Sequence, residues 1–201
     1  TNLSESVANS AVWKKGKGTD SVVQAIADGT NLPTASGERA IAIGSKTKAL
    51  GDYSHAEGYE SKASGYASHA EGLRTIASGW GSHAEGGNTA AQTDYCHAEG
   101  TGTIALGWGS HAEGRNTKTS NNFEHAEGRF NHNSENQIFS IGTGNSDTDR
   151  RNAVSVLEVS NNNSYTSSFF VQNIGGYDGT NPLPGTNDLA TVLNNTETWT
   201  F

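Results

Sequence analysis

The tetrapeptide His-Ala-Glu-Gly recurs along this 201-residue chain, and each copy places an imidazole two residues before a carboxylate. The pairs are His55 with Glu57, His69 with Glu71, His83 with Glu85, His97 with Glu99, His111 with Glu113, and His125 with Glu127. Such a pair is the equipment of a general base and an orienting acid, and imidazoles grouped with carboxylates are also the donors of metal centres. Residues two apart in a strand share a face, so each pair projects to one side. Six equivalent copies without a recurring third partner describe a building rule, whereas an active site is one constellation in one cleft. The chain is therefore expected not to be an enzyme, with no catalytic residue, no cofactor site and no metal site assigned. The twelve side chains are expected to form a structural ladder in which each polar group is paired, as buried polar groups require. A metal-loaded rod is the alternative from another class, and it needs the imidazoles to converge on a shared axis.

The elements that position these residues follow from their spacing. Each motif histidine stands fourteen residues after the last, and the register extends back to Ile41 in "IAIG" and forward to Phe139 in "FSIG". Gly51, Gly65, Gly79 and Gly107 keep it, as do Thr47, Thr75, Thr89, Thr103 and Thr117, and Ala49, Ala63, Ala77, Ala91 and Ala105. Each period holds two short alternating segments, around Ser-His-Ala-Glu and Thr-x-Ala, joined by glycine-containing turns. Alternation with period two predicts strands, and a fixed internal period predicts a solenoid. Fourteen residues suit a flattened coil of two short strands and two tight turns. Eight such turns, stacked at a strand spacing of about 4.8 Å, predict a rod of roughly 40 Å.

Composition agrees with an ordered chain that lacks a bulky core. Hydrophobic residues make up 32% and Met is absent, yet there are four Trp, six Tyr and six Phe with only three Pro. The formal charge of −8 excludes the basic patches that attract nucleic acid or anionic membrane, and no apolar run reaches the length of a membrane span. Cys96 is the one cysteine and reads as a small packed residue. With neither an initiator Met nor a signal-like start, the chain reads as a fragment or a processed piece. A single thin roll exposes much backbone, so self-association in closed cyclic symmetry is expected.

The segment "RAIAIGSKTKALGDYS" at Arg39 to Ser54, with the series that follows it, resembles the YadA-like head of trimeric adhesins, whose repeats read roughly Ser-Val-Ala-Ile-Gly-x-x-Ser-x-Ala-x-Gly. It is also similar to the HAEG-repeat segments of bacteriophage tail fibres and neck appendages. The resemblance covers residues 37–144. It implies an all-β fold, a left-handed parallel β-roll that forms a homotrimer, at an extracellular location on a virion tail fibre or a bacterial cell surface. It implies a structural or adhesive role toward a cell-surface receptor of glycan or protein, with a phage fibre favoured over the head of a bacterial autotransporter adhesin. This sequence departs from the adhesin pattern at two apolar columns, which become His and Glu in six turns.

A second column is aromatic: Tyr53, Tyr66, Trp80, Tyr95, Trp108 and Phe123 fall two or three residues before each motif His. These rings are expected either to pack between subunits or to contact a sugar or a surface protein. Residues 1–36 are expected to form a neck or stalk with a short helix from Thr19 or Asp20, residues 37–144 the roll, and residues 145–201 a β-rich module. In that module, strands are expected at Ala153–Val159 and Ser167–Ile174 and a short terminal helix from Asn187. Residues 145–201 contain no His, which argues against a self-processing module with a His-assisted nucleophile. "NSDTD" lacks the spacing of a Ca²⁺ loop and reads as a turn.

Overall fold

A chain this poor in apolar residues is ordered by its backbone ladder. The computed structural model describes residues 13–24, 30–161 and 164–171, with side chains up to Glu158. The described residues contain strands and turns but no helix. Each fourteen-residue turn contributes a strand that starts at the motif histidine, longer in His55–Tyr59, His69–Leu73 and His83–Gly87 and two residues in His97–Ala98 and His111–Ala112. It also contributes a two-residue strand, such as Lys62–Ala63 or Ile76–Ala77. The strands that start at the histidines pair in parallel and in register, His55 beside His69, His69 beside His83, and onward to His125 beside Phe139. The short strands form a second, seven-stranded parallel sheet. The result is a parallel β-solenoid of about eight turns with fourteen residues per turn.

The interior is as narrow as its side chains are small. Ser and Ala of each Ser-His-Ala-Glu point inward, and so do Thr (or Ser) and Ala of the short strand: Ser68, Ala70, Thr75 and Ala77 are all buried. Ser68, Ser82 and Ser110 each donate from Oγ at 2.8 Å to the carbonyl three residues back and so close the turn before the motif. Cys96 occupies this column and makes the same contact through sulfur.

Glycine is required where the turns approach most closely. Gly86 has φ +97°, and a Cβ there would stand 2.2 Å from the carbonyl oxygen of Gly100 in the next turn. A side chain at that position strains the backbone and forces the two turns apart.

Both ends of the roll close with antiparallel pairs. Trp13–Lys15 pairs antiparallel with Val22–Gln24, which itself joins the parallel ladder at Ile41 and Ala42. A helix from Thr19 or Asp20 is thus not what forms: the described part of that segment is a turn and a strand, because the edge of the roll offers Val22 and Val23 a partner. At the other end, Gln137–Thr143 pairs antiparallel with Asn152–Asn161, which pairs with Ser164–Val171. These two strands cover most of the segments expected from sequence; residues 172–174 and the helix expected from Asn187 lie outside the described residues. Antiparallel caps leave fewer unpaired groups for a further chain to join.

The interior columns also change character in the last turn. Glu124 takes the Ser position and Asn131 the Thr position, and both are buried. Glu124 accepts from the backbone N–H of Ser120 and Asn121, from Asn121 Nδ2 and from Gln137 Nε2. Asn131 accepts from the Lys118 N–H at 2.7 Å and donates to the Lys118 carbonyl at 2.8 Å, so an amide side chain completes the edge of the short-strand sheet.

Two adjacent glycines separate these effects. Gly86→Ala is expected to lower stability by about 2 kcal/mol or more, the cost of a strained backbone plus a close contact. Gly87→Ala meets nothing within 4 Å and is expected to stay within about 0.5 kcal/mol of the parent. Denaturant melts followed by circular dichroism compare the two; equal effects would remove the close-approach explanation.

Candidate functional site

Because Ser and Ala face inward, His and Glu must face outward, on the outer face of the twelve-stranded sheet. The imidazoles stack: ring centroids from His55 to His111 are 4.7 Å apart and nearly parallel, with interplanar angles of 3–6°. His125 tilts by 47° against His111 and meets Phe139 edge-on.

The carboxylates reach across turns. His83 Nε2 lies 3.4 Å from Glu71, His97 Nε2 3.6 Å from Glu85, His111 Nε2 3.2 Å from Glu99 and His125 Nε2 3.4 Å from Glu113. His55 instead faces Glu57 of its own turn at 3.7 Å. Only the pairs at His111 and His125 have hydrogen-bond geometry. The buried Nε2 atoms of His55, His69, His83 and His97 make no hydrogen bond. Each ring nevertheless keeps about a third of its side-chain surface exposed, 33% at His83. A single chain thus half-covers the ladder and leaves it under-satisfied, which is costly wherever further burial follows.

Burial pushes the His69 and His97 imidazoles below the usual histidine value. For His69 the neighbouring His55 and His83 add to that direction, while Glu71 and Glu57 oppose it. For His97 the neighbours are His111 and His83, opposed by Glu99 and Glu85. The neutral ring is therefore the favoured form at His69 and at His97.

Three sets of donors lie within 4.8 Å of one another: His69, Glu71 and His83; His97, Glu99 and His111; Glu113, His125 and Glu127. In the first two sets the rings are parallel within 3°, so their nitrogens point side by side and not at a common point. One ion shared by such a pair requires a ring to rotate as His125 has done. An open groove runs beside the carboxylates, with Glu57, Glu71 and Glu85 along it and Gly58, Gly72 and Gly86 lining it.

The aromatic column lies apart from the ladder, at the turn before each motif. Its rings are exposed and meet edge to face in two triplets. Tyr53, Tyr66 and Trp80 are spaced at 5.3 and 5.2 Å, and Tyr95, Trp108 and Phe123 at 5.8 and 4.8 Å. Sequence reasoning missed a third column, at the opposite turn. There Glu60 accepts from Lys46 Nζ at 2.9 Å and from Arg74 Nε at 2.8 Å, one turn to either side. The hydrogen bond from Arg74, then that from Lys46, hold the Glu60 carboxyl down at about 2. The fourteen-residue register alone would have disclosed this alternation of charge.

The family model for the YadA head domain repeat (2 copies) matches residues 35–61, 56–82, 70–91 and 98–117. These matched stretches of the roll are similar to YadA head domain repeats. Searches of curated proteins and of solved structures returned no match. YadA head domains are in general trimeric and surface-exposed, and the family is one of structural, adhesin-type segments and not of enzymes. Among the described residues no helix is long and apolar enough to cross a membrane.

The His/Glu ladder carries a signed pH dependence. With His69 and His97 lowered in the folded state, the unfolded chain binds more protons below its own histidine value of 6.5. Stability is then complete above that value and is lost as pH falls through the folded-state values. The melting temperature is expected to be level above about pH 7 and to drop by several degrees toward about pH 5. A profile that is flat, or that rises on acidification, overturns this assignment.

Proposed function

We propose that this chain is a non-enzymatic segment of a trimeric surface fibre, and that the His/Glu face is its seam between copies. One observation carries the proposal: a half-covered ladder holds four buried imidazole nitrogens without hydrogen bonds. In the same outward columns, Ile41 and Ile43 precede the ladder, and Phe139 and Ile141 follow it. Ile41 is exposed in the single chain. A sheet face that is apolar at both ends and under-satisfied between them is suited to burial against the same face of another copy. Residues 1–36 then serve as a neck that lends strands to the roll, 37–144 as the projecting roll and 145–201 as a terminal module.

The fibre's task in this reading is to mediate or project attachment to a cell surface. A phage tail fibre or appendage is favoured by the His-Ala-Glu-Gly variant of the repeat, and the head of a bacterial autotransporter adhesin is the alternative carrier. The twelve ladder residues act as structure, not as catalysts.

Sedimentation equilibrium of the 21.1 kDa chain tests the seam. The expected result is a trimer at neutral pH that dissociates or weakens near pH 5, where stacked imidazoles only 4.7 Å apart begin to share positive charge. Replacing His69, His83 and His97 by Ile, the residue that holds the same column at Ile41, is expected to keep the trimer and remove its acid sensitivity. A monomer at both pH values, or a trimer whose acid response is unchanged by the substitutions, defeats the seam.

A further inference from the structure

The ladder accounts for one face of the roll and leaves the aromatic column without a task. Its rings are not filling a core: Trp80 is 51% exposed and Tyr95 56%. Nor are they where the backbone is most comfortable. Tyr53, Tyr95 and Phe123 adopt φ of +58°, +56° and +57°, a region that bulky residues rarely enter, whereas Gly81 and Gly109 hold the same turn position with φ of +59° and +60°. Those glycines make room for the rings, since a Cβ on Gly81 would come within 3.2 Å of the Tyr95 ring and one on Gly109 within 3.3 Å of Phe123. Positive φ belongs to the turn itself, since Arg39 and Ala67 hold the same position at +51°, and the chain keeps large exposed rings on that turn even so.

Extent and charge decide what fits it. Six rings, each showing roughly half of about 200 Å², make a stripe of ~600 Å². That is less than the ~800 Å² each partner contributes to a standard protein interface, and it is only one ring wide. It is long, because each turn supplies a ring at one of two adjacent positions, Tyr53, Tyr95 and Phe123 at one and Tyr66, Trp80 and Trp108 one residue earlier. From Tyr66 to Phe123 the turns that carry the rings hold one charged side chain, Asp94, and its carboxylate is engaged by the Trp80 N–H at 2.8 Å. At the Tyr53 end Arg39 lies over the ring, 5.6 Å from its centroid, and is paired with Glu38; beyond that end a polyanion finds no cation.

We infer that the aromatic stripe is a binding site for a neutral, extended β-1,4-linked glycan lying along the roll axis. The C–H faces of pyranose rings match exposed aromatic faces. The advance per turn, 4.7 Å by the stacked imidazoles, is comparable with the advance per sugar in such a chain. Within each triplet neighbouring rings are steeply inclined, by 60–87°. This site deepens the attachment reading and rests on it for its biological setting.

Cellohexaose and chitohexaose are the probes, titrated into the full chain by calorimetry with tryptophan fluorescence as the second signal. At least one is expected to bind saturably and to perturb the fluorescence. The double variant Trp80→Ala, Trp108→Ala is expected to lose at least tenfold in affinity while keeping its sedimentation mass and melting temperature. Three results overturn the site: neither hexasaccharide binds, the double variant binds as well as the parent, or the variant falls to a lower mass, which would make the rings a seam between copies. The fibre reading stands or falls separately. A trimer that binds neither probe defeats the glycan site alone, and a monomer that binds one defeats the trimer alone.

Discussion

Everything in this molecule depends on one constraint: successive turns hydrogen-bond through their backbones in strict register, so each residue lies over its equivalent one turn away. The constraint supplies order without a bulky core, since the ladder and a filling of Ala, Ser and Thr suffice inside a coil this narrow. It also restricts chemistry. Any side chain used in every turn is stacked on copies of itself at 4.7 Å, and like charges so placed repel. The outward columns respond to this in different ways. One uses imidazole, which can be neutral and stacks face to face. Another alternates Lys46, Glu60 and Arg74, so that opposite charges meet. The short-strand column changes from Lys48 and Lys62 to Ile76, Ala90 and Ile104 before a lysine returns at Lys118.

The glutamate column is the exception that explains the histidines. Six carboxylates stacked in register are unfavourable unless positive or polarisable groups stand beside them. The nearest donors are the imidazoles one turn on, at 3.2–3.6 Å from Glu71, Glu85, Glu99 and Glu113. His69 and His97 each also stack between two other imidazoles, which opposes their protonation. A proton that relieves the carboxylates therefore charges the ring stack. Mid-ladder burial settles the competition for His69 and His97 toward the neutral ring.

Much of this was legible in the sequence, and the reasons differ by feature. The period gave strands, parallel stacking and the number of turns, because a repeat in one register has few other ways to bury Ala and Thr. Alternation placed His and Glu on a common side. It did not disclose that the carboxylate reaches back to the following turn's imidazole, since that depends on rotamers and not on spacing. The segment from Thr19 read as a helix because apolar Val22, Val23, Ala25 and Ile26 lie between a cap at Thr19 or Asp20 and a stop at Asp28-Gly29. The open edge at Ile41 and Ala42 overrides that preference by giving Val22 and Val23 a ladder to join. Glu124 and Asn131 could have been flagged as breaks in the Ser and Thr columns, but their partners Gln137 and Lys118 come from the point where the register ends.

A solenoid must also stop, and the last turn shows how a repeating structure ends without leaving its backbone exposed. A column of small residues can be continued only by another turn or by groups that imitate one. Asn131 imitates one for the short-strand sheet, with its amide making the acceptor and donor contacts to Lys118 that a further strand would have made. Asn152 does the same for His132, accepting from its N–H and donating to its carbonyl at 2.8 Å each. Glu124 and Gln137 fill the space where alanine-lined turns would have continued, and each polar atom they bring inside is met by a partner. Among the described residues, polar side chains larger than Ser and Thr enter this interior only at the end, where the chain leaves its period and presents donors and acceptors that differ from one turn to the next.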